Sequence, residues 1–148
     1  MAEDLDATDW AIVDALQSDG RLPLTELGRR VALSASATTE RVRRLEAIGV
    51  ITGYGARVDL EKLGFSIVAL VRLKYPGSRH QPLHRLLGDR PEILECLRTT
   101  GDDCYTLRVA ATSMGHLEEV CDDLAQFGST TTSVVYRETL PYRGPRRP

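Results

Sequence analysis

Hydrophobic positions between residues 5 and 48 recur at helical spacing in three short stretches, each bounded by a polar cap or a glycine. Leu5-Asp6-Ala7-Thr8-Asp9-Trp10 opens the first. Asp6 is a suitable N-cap, Asp9 adds negative charge to the first turn, and Leu5 is placed to staple onto Trp10. Ile12, Val13 and Leu16 carry the stripe to Gly20, a natural stop. A second short helix follows Pro23, with Leu24, Leu27, Gly28 and Val31 on one side. After Ala32-Leu33-Ser34 a third helix is predicted from about Ala35 to Ile48, closed by Gly49. Val50-Ile51-Thr52 and Ala56-Arg57-Val58 then read as short β-type runs, and Gly53-Tyr54-Gly55 between them suits a hairpin turn. Three helices and a hairpin predict a winged helix-turn-helix over residues 1–58.

Residues 59–64 form a short polar linker, after which the pattern changes. Phe65 to Tyr75 is a long strand signal ended by Pro76-Gly77, and Leu83, Leu86 and Leu87 mark a short amphipathic helix. Ile93 to Thr100 and Tyr105 to Ala111 are two strands separated by Gly101-Asp102-Asp103. Met114, Leu117, Val120, Cys121, Leu124 and Phe127 make a helical stripe capped by Ser113 and ended by Gly128, and Thr130 to Leu140 is a fourth strand. The order β-α-β-β-α-β predicts a ferredoxin-like sandwich over residues 65–142, followed by a basic tail at 143–148. The fold class is therefore α+β. The first strand is apolar on both faces, with Phe65, Ile67, Ala69, Val71 and Leu73 alternating with Val68 and Leu70. Two helices cover only one face of such a sheet, so the other is expected to pack on a second copy in an obligate dimer.

Composition changes this picture little. Of the 148 residues 42% are hydrophobic and 27% charged, ordinary values for a globular protein. No apolar run reaches the ~18 residues of a membrane span, and the start lacks the order of a secretory signal, so a cytoplasmic protein with no membrane partner is expected. The three cysteines, Cys96, Cys104 and Cys121, form no CxxC and no zinc-finger spacing, and read as free thiols. His80 and His84 lie four apart on the expected helix, without a third ligand nearby, so no metal site is expected.

Charge matters once it is divided along the chain. The formal net charge is −2. Residues 1–19 hold six acids (Glu3, Asp4, Asp6, Asp9, Asp14, Asp19) and no base. Residues 20–58 hold seven arginines (21, 29, 30, 41, 43, 44, 57) against Glu26, Glu40 and Glu46, a local net of +4. Phosphate responds to the local field, not to the total. In the third helix Ala35, Thr38, Val42, Leu45 and Ile48 fall on the core side. Ser36, Thr39, Glu40, Arg43 and Arg44 fall opposite, with Arg41 at the border. Small hydroxyls early in a helix and arginines later are the types that reach base edges and phosphates in a major groove. Arg57 on the wing either reaches a flanking phosphate or minor groove or is an ordinary exposed residue.

The series LDATDWAIVDALQSDGR, LTELGRRVALS and TERVRRLEAIGVITGYGARVD resembles the leucine-responsive/asparagine regulator (Lrp/AsnC) family of prokaryotic transcription factors. The second half agrees at Leu63-Gly64, at Pro91-Glu92-Ile93-Leu94-Glu95, at Gly101-Asp102-Asp103 and in the final strand, so the resemblance covers roughly residues 4–142. It implies a sequence-specific regulator that binds double-stranded DNA. Dimers, and often octamers, are implied to assemble through the C-terminal RAM-type domain. It also implies a small effector, usually an amino acid, at interfaces between those domains, and no cofactor. The loop between the second and third strands lines the effector site in such proteins; here it is Gly101, Asp102, Asp103, Cys104 and Tyr105, with Thr131, Thr132 and Ser133 of the last strand supplying hydroxyls. Backbone N–H groups beside the glycine suit an α-carboxylate, and an acidic side chain suits the α-ammonium. The other reading of this loop is an Asp-rich hairpin turn without a ligand.

Three positions depart from the family pattern. Cys104 stands where many relatives have an acid, so either Asp103 takes the ammonium contact or the protein binds something else. Ala32 stands where many have glycine, at a cost of ~1 kcal/mol if the turn needs a positive φ. Gly28 replaces a more usual alanine, which permits a close helix crossing but weakens the helix by about 1 kcal/mol. There is no nucleophile elbow, P-loop, Rossmann fingerprint or metal-ligand set, so no enzyme is expected. The alternative function is a ligand-binding or oligomerisation module without an effector-dependent DNA switch.

Overall fold

Asp6 and Asp9 start the first helix, and the computed structural model, which describes residues 4–102 and 104–147, shows how. The Asp9 amide donates to Asp6 Oδ1 at 2.8 Å and the Asp6 amide to Asp9 Oδ2 at 3.2 Å, a reciprocal capping box on α1 (Ala7–Ser18). Helices α2 (Leu24–Arg30) and α3 (Ala35–Ala47) follow, the latter capped by Ser34. Ile12, Leu22, Leu27, Val42 and Leu45 form the buried core of this unit.

The turn between α2 and α3 closes as a Schellman motif: Leu33 N–H donates to Gly28 C=O at 2.9 Å and Ala32 N–H to Arg29 C=O at 3.4 Å. That geometry requires a left-handed residue, and Ala32 occupies it at φ 55°. The positive φ anticipated for this turn is present, and an L-alanine holds it at a strain of roughly 1–2 kcal/mol. An Ala32→Gly variant is expected to melt about 2–4 °C higher, since relief of strain exceeds the added chain entropy of glycine. A lower melting temperature by circular dichroism would contradict it. Gly28 is buried at the α2–α3 crossing. A Cβ there would meet Leu33 C=O and Thr38 Oγ1 at 2.8 Å, which is why the position carries no side chain.

The expected wing hairpin is not formed. Residues 50–58 contain no strand, and the reason lies in α3's own terminus. Gly49 (φ 74°) closes a second Schellman turn in which Val50 and Ile51 both donate to Leu45 C=O, at 2.9 and 3.0 Å. The amides needed for a ladder are thereby used, and the segment continues as an extended loop.

The second unit, Val58–Thr139, holds β1 (Ile67–Lys74), α4 (Gln81–Asp89), β2 (Ile93–Arg98), β3 (Tyr105–Ala111), α5 (Met114–Ala125) and β4 (Ser129–Val134). The sheet order is β2-β3-β1-β4 with every neighbouring pair antiparallel, the ferredoxin-like arrangement. Ala69, Val71, Leu73, Tyr105, Leu107 and Val109 face the helices, meeting Leu83 of α4 and Leu117, Val120 and Leu124 of α5. Both helices sit on that one face. Val68, Leu70 and Arg72 point the other way, and Leu70 remains 43% exposed. β4 stops at Val134, short of Leu140. Chain beyond Thr139 groups with the helical unit instead: the Gln17 side-chain amide donates to Pro145 C=O at 3.1 Å.

Candidate nucleic-acid interface and effector loop

α3 carries three arginines within four residues, and helical spacing sends them to two different surfaces. Arg41 and Arg44 share one. Arg41 donates to Asp6 Oδ2 at 2.7 Å and to Asp9 Oδ1 at 2.8 Å, while Arg44 donates to Asp9 Oδ2 at 3.0 Å. Asp9 is 1% exposed, so its carboxylate is a buried bridge between two guanidinium groups and the amino end of α1. The hydrogen bonds hold the Asp6 carboxyl below its usual range, the Asp9 backbone amide first and Arg41 second. The hollow beside this cluster, about 540 Å³, is lined by Asp4, Asp6, Asp9, Ala37, Glu40, Arg41 and Arg44. Four carboxylates against two guanidiniums make it unfavourable for phosphate.

The other surface carries Ser36, Thr39 and Arg43, at i, i+3 and i+7. Arg43 is exposed and has no ion-pair partner among the described residues. Ser36 Oγ lies 3.1 Å from Ser34 Oγ, and Thr39 Oγ1 donates to Ala35 C=O at 2.8 Å, which leaves each oxygen able to accept from a base. Glu40 is exposed at the border, on the side of the acidic hollow. Tyr54, in the loop that replaces the wing, donates to Glu46 Oε1 at 2.8 Å. Partial burial and the Glu46 carboxylate push its phenol up to about 12. Tyr54 thereby docks the loop on α3, a role the sequence pattern did not indicate. Arg57 is exposed, beside Gln17 and Ser18 of α1. The seven residues expected to meet DNA thus divide: Ser36, Thr39, Arg43 and Arg57 are free to do so, Glu40 borders the acidic hollow, and Arg41 and Arg44 are tied to α1. Spacing contained the signal, because Asp6 and Asp9 lie three apart, as do Arg41 and Arg44.

In the second unit Gly101 takes φ 103°, a conformation that favours glycine, and Thr99 N–H donates to Cys104 C=O at 2.8 Å to close the β2–β3 turn. Asp102 is exposed there; Asp103 lies outside the described residues. The Cys104 thiol donates to Tyr75 C=O at 3.5 Å, a packing contact. Tyr105 is buried, and its hydroxyl meets His80 Nδ1 at 2.8 Å, so its ring belongs to the core. His80 stands at the N-cap position of α4 without a side-chain capping bond, and its ring stacks on His84 with centroids 6.3 Å apart. Thr132 turns to the helix side, its Oγ1 3.3 Å from Cys121 Sγ, whereas Thr131 and Ser133 pair with Arg72 and Leu70 on the open side. β1 stands between β3, which begins at Tyr105, and β4, which carries Thr131 to Ser133.

A helix-turn-helix unit followed by an antiparallel βαββαβ unit is the architecture of a DNA-binding protein with an appended second domain. The model of the AsnC-type helix-turn-helix domain matches residues 5–46, and that of the Lrp/AsnC ligand binding domain matches residues 68–145. The chain belongs to the Lrp/AsnC family, whose members are transcriptional regulators and not enzymes. The HTH-type transcriptional regulator LrpC of Bacillus subtilis is 34% identical over 90% of this chain and 93% of its own. The solved structure of LrpC covers 95% of this chain and 100% of that one, with a TM-score of 0.89 at 32% identity. The HTH-type transcriptional regulator LrpA of Mycobacterium tuberculosis is 39% identical over 95% of this chain and 91% of its own. A feast or famine regulatory protein from M. tuberculosis, solved in complex with L-methionine, matches 97% of this chain and 100% of its own with a TM-score of 0.90 at 31% identity.

Proposed function

We propose that this protein is a sequence-specific DNA-binding regulator of transcription that reads the major groove with Ser36, Thr39 and Arg43. The carrying observation is the division of α3: one arginine pair is neutralised by α1, and the opposite face is left with the unpaired Arg43 guanidinium beside hydroxyl oxygens able to accept. Copies pair through the open sheet face around Val68 and Leu70, and pairs associate further, up to an octamer. Two observations support this. The exposed Leu70 sits on a face that no helix covers, and β1 stands between β3, which begins at Tyr105, and β4, which carries Thr131 to Ser133. A small amino acid is then bound between copies, its α-carboxylate at the amides beside Gly101 and its α-ammonium at an acid of the same turn. The L-methionine complex of the similar M. tuberculosis protein supports an amino acid as the ligand class. Among the described residues no helix is long and apolar enough to cross a membrane, in keeping with action beside the genome in the cytoplasm.

A mobility-shift experiment on the DNA upstream of the protein's own gene, run with and without a panel of amino acids, tests both halves. A retarded band that outlasts random competitor DNA is expected, and one amino acid should change its midpoint. That same amino acid, at 100 times its dissociation constant, should stabilise the fold by roughly 2.7 kcal/mol in thermal unfolding. No preference over random DNA would overturn the first half, and no stabilising amino acid the second.

A further inference from the structure

The helical unit has less free positive charge than its sequence suggests. Arg29 and Arg30 pair with Glu26, and Arg41 and Arg44 pair with Asp6 and Asp9. Of its seven arginines, Arg21, Arg43 and Arg57 have no ion pair among the described residues. One arginine on α3 is a weak anchor for a polyanion whose affinity scales with the number of phosphates neutralised. The same unit also holds the end of the chain, which brings Arg143, Arg146 and Arg147. All three are exposed, and none has an ion-pair partner among the described residues.

The chain end is placed, not loose. The Gln17 side-chain amide donates to Pro145 C=O at 3.1 Å, and a Cβ on Gly144 would displace the Gln17 side chain. Arg57, Arg143 and Arg146 consequently line one hollow of about 500 Å³ beside Asp14, Gln17 and Ser18 of α1, three guanidiniums against one carboxylate. Tyr54 joins this surface to the reading face. Its ring borders a hollow lined by Thr39 and Arg43 on one side and a groove lined by Arg57, Tyr142 and Pro145 on the other. Arg43 on α3 and the Arg57, Arg143 and Arg146 cluster thus flank Tyr54, with the Glu46 carboxylate bonded to Tyr54 between them.

We infer that the C-terminal arginines Arg143, Arg146 and Arg147 are phosphate contacts, gripping the duplex backbone beside the base-reading face of α3. This rests on the DNA-binding reading above. The tail contributes affinity without sequence preference, whereas α3 supplies the preference.

Fluorescence anisotropy with the full chain, on operator and on random duplex across a salt series, tests this. In the Arg143→Ala/Arg146→Ala/Arg147→Ala variant the slope of log K against log salt should fall by about 0.9 for each lost phosphate contact. Affinity should drop by the same factor on both duplexes, and the triple lysine variant should recover most of the slope. A slope equal to wild type overturns the tail assignment while leaving DNA binding intact. So does a variant that melts at lower temperature with its slope unchanged, which would make the tail a structural strap. Failure of the wild type to bind any duplex overturns the DNA-binding reading itself and the tail assignment with it.

Discussion

An Asp9→Ala variant should melt about 10 °C or more below wild type and lose DNA affinity, although Asp9 touches no DNA in the proposed complex. Its carboxylate accepts the Asp6 amide, Arg41 and Arg44, and it is almost completely buried. Charge-assisted hydrogen bonds contribute about 1.5–3 kcal/mol each, and half of the capping box goes with them. The two guanidiniums are partly exposed and regain some hydration, which brings the expected cost to roughly 2–3 kcal/mol. In a unit this small each kcal/mol moves the midpoint by about 4–8 °C. Asp9→Asn keeps the shape and the cap acceptor and should fall between. Circular dichroism melts decide it: an Asp9→Ala midpoint within a degree or two of wild type would show that the bridge does not hold α3 on α1.

Leu70→Glu should dissolve the proposed pairing of sheets. Leu70 lies mid-strand on the uncovered face, opposite Arg108 on β3 and Ser133 on β4. A two-fold pairing places the substitution on both sides at once. Burying leucine contributes about 1.5–3 kcal/mol per copy, and a carboxylate in its place adds a desolvation cost. The dissociation constant should rise by about a thousandfold or more. The fold itself should survive, because the helix-side core of Val71, Leu73, Leu107 and Val109 is untouched. Sedimentation at several concentrations reads the result. An unchanged oligomer would place the contact between copies elsewhere.

Much of this architecture was legible in the pattern of the chain. The α1 cap at Asp6 and the left-handed turn at Ala32 follow from local chemistry that tertiary packing does not override. The same holds for the Gly28 crossing and the Ser113 cap of α5. The wing hairpin was misjudged because β propensity counts side chains, whereas the deciding factor was where the Val50 and Ile51 amides go. β4 ended early because an alternating run does not reveal where a strand loses its neighbour; the last bond to β1 runs from Val135 N–H to Val68 C=O. The reading face was half legible. Periodicity put Arg41 at the border and Arg44 with Arg43, but a charge count cannot show which arginines another helix has already neutralised. The turn between β2 and β3 was legible as a turn through Gly101, which takes φ 103°.

The separation of α3 into a structural and a reading face is tested most directly by titrating labelled operator and random duplex with Arg43→Ala and Arg44→Ala, alongside melting of each protein. Arg43→Ala should melt like wild type and lose about 1–3 kcal/mol of preference for the operator, the worth of a bidentate base contact. Arg44→Ala should instead lower the melting temperature, with its remaining folded protein still preferring the operator. An Arg43→Ala protein that keeps the full operator preference would contradict the assignment of the reading face.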